Sequence, residues 1–351
     1  MKLDDLLKVA SDFPIQKVRK ISVSDDIFSI EQAPQLISLL NPEEIEWKYN
    51  SIIIGPDGTE IQTRGSKRDK KYYYLSPIYE SQIGWDLELS SIKSLENMIY
   101  DLLPCKEGES YFNPSFWYRE DIIENKNIVM ESGEINEKLR ERNHKLTFYD
   151  NNLSLELGYV NPLYTYLNPF IISQSKKIIG KSEFFSISLK ETYTLIGENK
   201  LYLENNNGYI KVESNGKIAL MKSITWKETK PYEIVWNLKN KVQRVNCKLP
   251  FPISLYKLYP AGILPFFIKY ENHTLTLGLI NLNETPIVVN LVLAARIEEA
   301  NLLSPQGEEI DKLNPEFDRI KIPMRRLGIA YIRLKIRKLL ESFLKRKIIS
   351  S

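Results

Sequence analysis

Carboxylates set beside aromatic rings are the residues here with the most chemical potential. They occur at Trp85-Asp86-Leu87-Glu88 and at Trp117-Tyr118-Arg119-Glu120-Asp121. Hydrolysis of a glycosidic bond needs two carboxylates flanking that bond, one of them held protonated. Adjacency along the chain does not establish such geometry, and with 45 acidic residues many fall beside rings by chance. No catalytic residue is assigned on this basis. A flat ring can instead stack on the C–H face of a sugar. Trp85, Trp117 and Tyr118 are therefore the candidate carbohydrate-binding residues. Other rings cluster at Tyr72–Tyr74, from Tyr111 to Tyr118, and between Tyr159 and Phe170. Core packing is the plainer reading of these, because aromatics are ordinary strand formers.

Other chemistries are poorly provided for. The two histidines, His144 and His273, cannot build an imidazole-rich metal centre. The two cysteines, Cys105 and Cys247, are far apart and form no CxxC pair; they read as buried structural thiols of a reducing cytoplasm. Phosphate loops, dinucleotide fingerprints, Gly-x-Ser-x-Gly and His-Glu-x-x-His are all missing. No cofactor and no metal are expected, and no specific nucleic acid.

The sharpest charge feature is the C-terminal stretch from Arg325. It holds nine Lys or Arg against the single acid Glu341, a formal +8 in a chain whose net charge is +3. Ile336, Leu339, Leu340, Phe343, Leu344 and Ile348 fall at helical spacing, with Arg337, Lys338, Lys345 and Arg346 between them. This predicts a basic amphipathic helix over residues 337–351. Such a helix docks on an anionic membrane surface or an acidic partner, or folds back as a cap. The interaction residues on this reading are Arg337, Lys338, Lys345, Arg346, Leu340 and Phe343.

The elements that must position these residues are mostly strands. Ser51–Gly55 and Thr59–Thr63 flank Pro56-Asp57-Gly58, a hairpin signature. Ile92, Leu95, Met98, Ile99 and Leu102 share one face of a helix over 91–103, stopped by Pro104. Apolar spacing predicts another helix over 29–40, and mixed charge a solvated helix over 134–145. From Leu146 onward short strands alternate with turns. Asn205–Gly208 and Ser214–Gly216 mark successive hairpins, and residues 232–237 read as a further strand. The fold class expected is β-rich α+β: a mixed α/β region over 1–145, an antiparallel β-sandwich over 146–336, and the helical tail over 337–351.

Residues 269–336 carry a resemblance. Strands on either side of Asn272-His273, a turn through Asn281 and Asn283, Ser304-Pro305-Gln306-Gly307 and the closing run from Pro323 through Gly328 resemble the last β-domain of class II α-mannosidases. The resemblance implies a β-domain distal to a glycoside hydrolase's catalytic domain. That family's catalytic domain holds zinc through residues that include a His-x-Asp pair. Here His144 precedes Lys145-Leu146 and His273 precedes Thr274-Leu275, so no ligand or nucleophile transfers. The expectation is a non-catalytic accessory or carbohydrate-binding subunit. The alternatives are an interaction protein docked through its tail, or a glycosidase-like enzyme with unrecognised carboxylates.

Asp4, Asp5 and Lys8 interrupt any apolar run at the N-terminus, so a cytoplasmic protein is expected, peripheral to a membrane if the tail is an anchor. The longest uncharged stretch, Leu157–Ser175, contains Pro162 and Pro169 and is no membrane helix. Abundant Lys and Glu with few Cys and Met suit a heat-adapted protein, and an A/T-rich genome produces the same bias.

Overall fold

The computed structural model describes residues 87, 89–158, 162–167, 172–178, 181–283, 285–303, 309–324 and 329–339, together with strands Arg19–Ser24, Ile27–Glu31, Ser51–Ile54 and Thr59–Gln62. The chain forms two compact units. One combines residues 1–104 with 258–346, and the other, 105–257 with 347–351, interrupts it in sequence. The boundary expected after Lys145 falls inside the second unit. Both units are built mainly from antiparallel strands.

In the first unit a five-stranded sheet runs in the order Ile263–Glu271, Thr274–Asn281, Ile329–Lys338, Ala295–Leu303, Glu309–Leu313. Its first hairpin closes on Asn272 and His273, at φ 49° and 59°. Two positive φ values give the turn a twist that matches the flanking strands. In a second sheet Arg319–Met324 pairs with Ile287–Leu293. Ile320, Ile322 and Met324 are buried while their neighbours are exposed, the period of a strand with one wet face.

Helix α1, Leu89–Leu102, buries Leu95, Met98, Ile99 and Leu102 as their spacing predicts. It packs on Ile263–Glu271, the end strand of the described sheet, where the Ser91 hydroxyl accepts the Ile268 N–H at 3.2 Å. An edge-strand donor is thereby satisfied by a covering helix. The Ser51–Ile54 and Thr59–Gln62 hairpin forms as expected. The helix expected over 29–40 is contradicted at its start, since Ile27–Glu31 is a strand paired with Arg19–Ser24. Trp85, Asp86 and Glu88 lie outside the described residues, as does the rest of that helix.

The basic tail is corrected at its start as well. Arg337 and Lys338 belong to the strand Ile329–Lys338, opposite Arg296 and Ala295. The residues there alternate with period two: Ile332, Leu334 and Ile336 are buried. Arg333, Lys335 and Arg337 face Glu309, Glu299 and Glu298 across the sheet at 3.7, 3.4 and 3.9 Å. Cross-strand ion pairs thus account for part of the charge that read as one face of a helix. Leu340, Phe343, Lys345 and Arg346 lie outside the described residues.

The second unit is organised by one long strand, Thr192–Asn206. Its first half pairs with Ile218–Ser223 and Ser182–Ser188, and its distal half with Tyr209–Glu213. The distal hairpin turns on Asn207 and Gly208, at φ 54° and 92°. A Cβ on Gly208 would meet the Gly158 carbonyl oxygen at 1.8 Å, so only glycine fits. The Ser214–Gly216 hairpin does not form. The strand after it returns to the first half of the long strand, because one 15-residue strand offers room for two partners. The core of this sheet gathers Tyr166, Phe185, Leu195, Leu203, Ile210 and Val212.

Two other expectations in this unit are overturned. Residues 231–239 form helix α3 rather than a strand, with Pro231 at its first turn and Tyr232, Val235, Trp236 and Leu238 buried. Proline's fixed φ suits that position. A four-residue helix, α2, Trp226–Thr229, precedes it. The helix expected over 134–145 gives way to short strands around a buried carboxylate. Glu134, 1% exposed, accepts from Arg140 at 2.7 Å, Asn136 at 2.9 Å and the Glu131 N–H at 2.6 Å. A carboxylate that is buried and fully hydrogen-bonded cannot belong to a solvated face. Among the described residues no helix is long and apolar enough to cross a membrane.

Cys105 and Cys247 are joined in a disulfide, which corrects the expectation of separate thiols. They are 142 residues apart in sequence, yet they sit near the two ends of the inserted unit, where the chain must come back together. Beside them Lys106 and Lys248 exchange two backbone hydrogen bonds of 3.0 Å. A cross-link over so long a loop removes much freedom from the unfolded chain. Reduction, or paired Cys105→Ser and Cys247→Ser replacement, is expected to cost about 2–4 kcal/mol of stability. Thermal melts with and without reductant check this, and identical melting temperatures would contradict it.

Candidate binding site

The aromatic run from Tyr111 to Tyr118 lies in the second unit, with Phe112, Phe116 and Trp117 buried. Asn113 is fully buried and bridges the loop: its amide donates to the carbonyls of Glu131 at 2.7 Å and Trp117 at 3.3 Å, and its oxygen accepts the Ser115 N–H at 3.0 Å. Phe116 stacks on Tyr256 with centroids 3.9 Å apart, and the Tyr256 hydroxyl donates to the Pro114 carbonyl at 2.9 Å. Gly133, at φ 57°, lets the backbone of Tyr256 approach; a Cβ there would meet its nitrogen at 2.8 Å.

Trp117 is 7% exposed. Its ring meets Trp236 edge-on at 5.3 Å, and its N–H donates to the Asn237 side chain at 3.0 Å. It is a wedge between loop and helix α3, not an open platform for a sugar. Tyr118, the next residue, is 39% exposed and keeps a ring at the surface. Burial and the nearby Glu120 raise its phenol pKa, so it stays a hydrogen-bond donor.

Arg119 fastens this loop to α3. It is 1% exposed. One terminal nitrogen donates to the Asn240 carbonyl at 2.5 Å, and the other to the Asn237 carbonyl at 2.6 Å. Asp121 accepts from the same guanidinium at 2.7 and 3.1 Å. The cation therefore sits on carbonyls at the C-terminal end of α3, where the helix dipole favours positive charge. Desolvation pulls the Arg119 pKa down and Asp121 opposes that shift.

A half-open depression of about 230 Å³ lies beside this junction, lined by Tyr111, Asp121, Lys217, Leu238, Lys241 and Arg244 among others. Tyr111 comes from the strand Ser110–Phe112, and Arg244 from Gln243–Val245, its partner. The Arg244 guanidinium lies 5.3 Å from the centre of the Tyr111 ring. Glu124 holds both, accepting from Arg244 at 2.6 Å and from the Tyr111 hydroxyl at 3.1 Å. Glu124 and Asn125 form a two-residue turn at φ 52° and 62°, which aims this carboxylate. On the other flank Lys241 pairs with Glu198 at 3.0 Å, and contacts with Lys241 and the Lys217 backbone outweigh burial to hold the Glu198 pKa down.

Among the described residues Asp121 is the single carboxylate lining the depression, and both its oxygens are engaged: one by Arg119, the other by the Ile122 N–H at 2.8 Å. The most perturbed carboxyl in the unit lies elsewhere. Glu233, in the first turn of α3, has its pKa raised to about 7 by burial, against the pull of Lys230. It stands five residues before Leu238, roughly 8 Å along the helix axis. The arrangement can grip a polar ring between a phenol and cations, but it does not place two free carboxylates across a bond. No group of three or more His, Cys, Asp or Glu that could hold a metal occurs among the described residues.

No protein-family model matches the chain, and no curated protein matches it. Among solved structures, an α-mannosidase from Enterococcus faecalis V583 is similar at 13% identity and a TM-score of 0.37. The match covers 59% of this chain but only 28% of that one. The expected resemblance to an α-mannosidase is present and weak.

Two predictions follow from the charges around α3. Arg119→Ala strips the buried Asp121 of its counter-charge and uncaps the helix, and is expected to cost about 3–5 kcal/mol. Arg119→Lys should recover little of that, because one ammonium cannot reproduce the planar fork. Denaturant melts of both variants check this.

Glu233 sets a pH dependence. Its folded pKa lies above its unfolded value near 4.5, so its contribution to stability is complete below pH 4.5 and is lost as pH rises through 7. The loss approaches about 3 kcal/mol in alkaline solution. Glu233→Gln should match the parent at pH 4.5 and exceed it at pH 8; parallel stability curves would remove the assignment.

Proposed function

We propose that this protein is a non-catalytic, β-rich binding module that holds a saccharide ring in the depression between Tyr111, Arg244 and the end of α3. The carrying observation is that, among the described residues, the one carboxylate lining this depression, Asp121, is fully committed to Arg119 and the Ile122 N–H, while the Tyr111 ring and the cations Lys217, Lys241 and Arg244 line it, Arg244 and Lys241 held in place by Glu124 and Glu198. Sugar hydroxyls accept hydrogen bonds from ammonium and guanidinium groups, and sugar C–H faces rest on phenol rings. The volume is below the range of about 300–1,000 Å³ typical of drug-sized ligand sites, which favours one ring over an oligomer. Tyr118 is a second exposed ring in the same unit and keeps its role as a candidate stacking residue. An accessory role beside a separate glycoside hydrolase is the setting in which such a module would act.

Calorimetric titration with mannose and short manno-oligosaccharides is expected to give weak binding, with a Kd of about 0.1–1 mM. Tyr111→Ala should abolish it, and Tyr118→Ala should weaken it if the oligosaccharide extends past the first ring. The same preparation should leave an aryl mannoside intact. Flat titrations with every sugar would end the proposal, and turnover of the aryl mannoside would replace it with an enzyme.

A further inference from the structure

A second depression in the inserted unit, of about 500 Å³, has a different chemistry. Lys176 and Lys177 line it from the bend after the strand Ile172–Ser175, and Lys181 from the residue that leads into Ser182–Ser188. The bend is held by the Ser175 hydroxyl, which accepts the Lys177 N–H at 3.0 Å. None of these three ammonium groups has an acidic partner among the described residues. Three like charges facing one open hollow repel one another unless an anion joins them.

The polar side chains that line it beside them are fixed. Tyr164 is 1% exposed, and its hydroxyl oxygen accepts from the Asn205 amide at 2.7 Å. The Asn205 carbonyl oxygen in turn accepts the Gly208 N–H at 2.9 Å, which sets the orientation of that amide. With its oxygen occupied as an acceptor, the Tyr164 hydroxyl keeps its own proton to donate. Burial raises its pKa and holds that proton in place. Tyr202 adds a half-exposed ring; its hydroxyl donates to Glu204 at 3.1 Å, and the neighbouring Glu213 is paired with Lys211 at 2.5 Å. The nearby carboxylates therefore already have partners.

We propose that this depression is a binding site for a tetrahedral oxyanion ester, a phosphate or sulfate group carried by a small soluble molecule. Lys176, Lys177 and Lys181 neutralise the oxyanion, Tyr164 donates one directed hydrogen bond, and the Tyr202 ring lies against the carrier. The site shares no residue with the Tyr111 depression, so either proposal stands or falls without the other.

The test is calorimetric titration of the full chain with mannose 6-phosphate, inorganic phosphate, inorganic sulfate and unmodified mannose. The phosphate ester is expected to bind, and inorganic phosphate or sulfate more weakly. Affinity should fall as NaCl rises from about 50 to about 500 mM, as an ion pair at a surface requires. The combined Lys176→Ala, Lys177→Ala and Lys181→Ala variant should lose roughly tenfold or more in affinity, the loss expected when charge-assisted hydrogen bonds are removed. Tyr164→Phe should lose several-fold, and Tyr111→Ala should bind inorganic phosphate as the parent does. If the triple variant melts early, single Lys→Gln variants carry the same comparison. Equal affinity in parent and lysine variants, binding indifferent to salt, or no response to any phosphate or sulfate would overturn the assignment. Sedimentation with anionic lipid vesicles in the absence of any soluble-ester binding would overturn it as well.

Discussion

A desolvated guanidinium holds the inserted unit together. Arg119 has almost no contact with water, and its hydrogen bonds go to one carboxylate and two carbonyls at the end of a nine-residue helix. Burying a cation is costly unless every donor direction is answered. Here the answers come from a strand and from α3, so neither element can shift without exposing a charge to an apolar interior. Asn237 extends the constraint to the loop, accepting from Ser115 at 2.6 Å and Trp117 at 3.0 Å through one side-chain oxygen. The loop, the helix and the floor of the Tyr111 depression are thus one object. That rigidity is what a shallow binding site requires, since a mobile wall would spend its affinity on ordering itself.

Local signals were readable wherever the chemistry was local. The Asn207-Gly208 turn follows from residue type alone, because both positions need positive φ. Helix α1 follows from a full turn-by-turn apolar stripe with Pro104 behind it. Helix α3 did not, because nine residues are too few to separate a helical period from alternation: Tyr232, Val235 and Trp236 fit a helix, while Tyr232, Ile234 and Trp236 alternate as a strand would. The tail failed for a related reason. Arg333, Lys335 and Arg337 alternate strictly with Ile332, Leu334 and Ile336, and that strand pattern runs directly into the apolar residues beyond Lys338. The carboxylates that pair with them lie more than twenty residues upstream, invisible to any window along the chain.

The site was legible only in part. Tyr111 and Tyr118 belong to an aromatic cluster that stands out in the sequence, but nothing there separates the exposed rings from Trp117, whose indole N–H is consumed by α3. Arg244 and Lys241 carry no motif. They reach Tyr111 because strand Gln243–Val245 pairs with Ser110–Phe112 across more than 130 residues. Glu124, which orders that pair, sits on a Glu-Asn turn, a weaker signal than Asn-Gly for the same geometry. The cysteines show the same limit: 142 residues apart along the chain, their Cα atoms lie 4.7 Å apart in space. A disulfide persists in an oxidising compartment or in the cytosol of a hyperthermophile.

The disulfide also changes what the chain is as a covalent object. With Cys105 joined to Cys247, the segment between them is a covalently closed loop within a linear molecule. A single backbone cut anywhere inside that loop opens it but releases nothing, and the two halves of the surrounding unit stay on one molecule. A cut inside the loop therefore leaves every residue on one molecule, whereas a cut outside it releases a fragment. The exposed bends of the insertion, Lys176-Lys177 among them, sit where a cut would leave the rest of the protein in one piece.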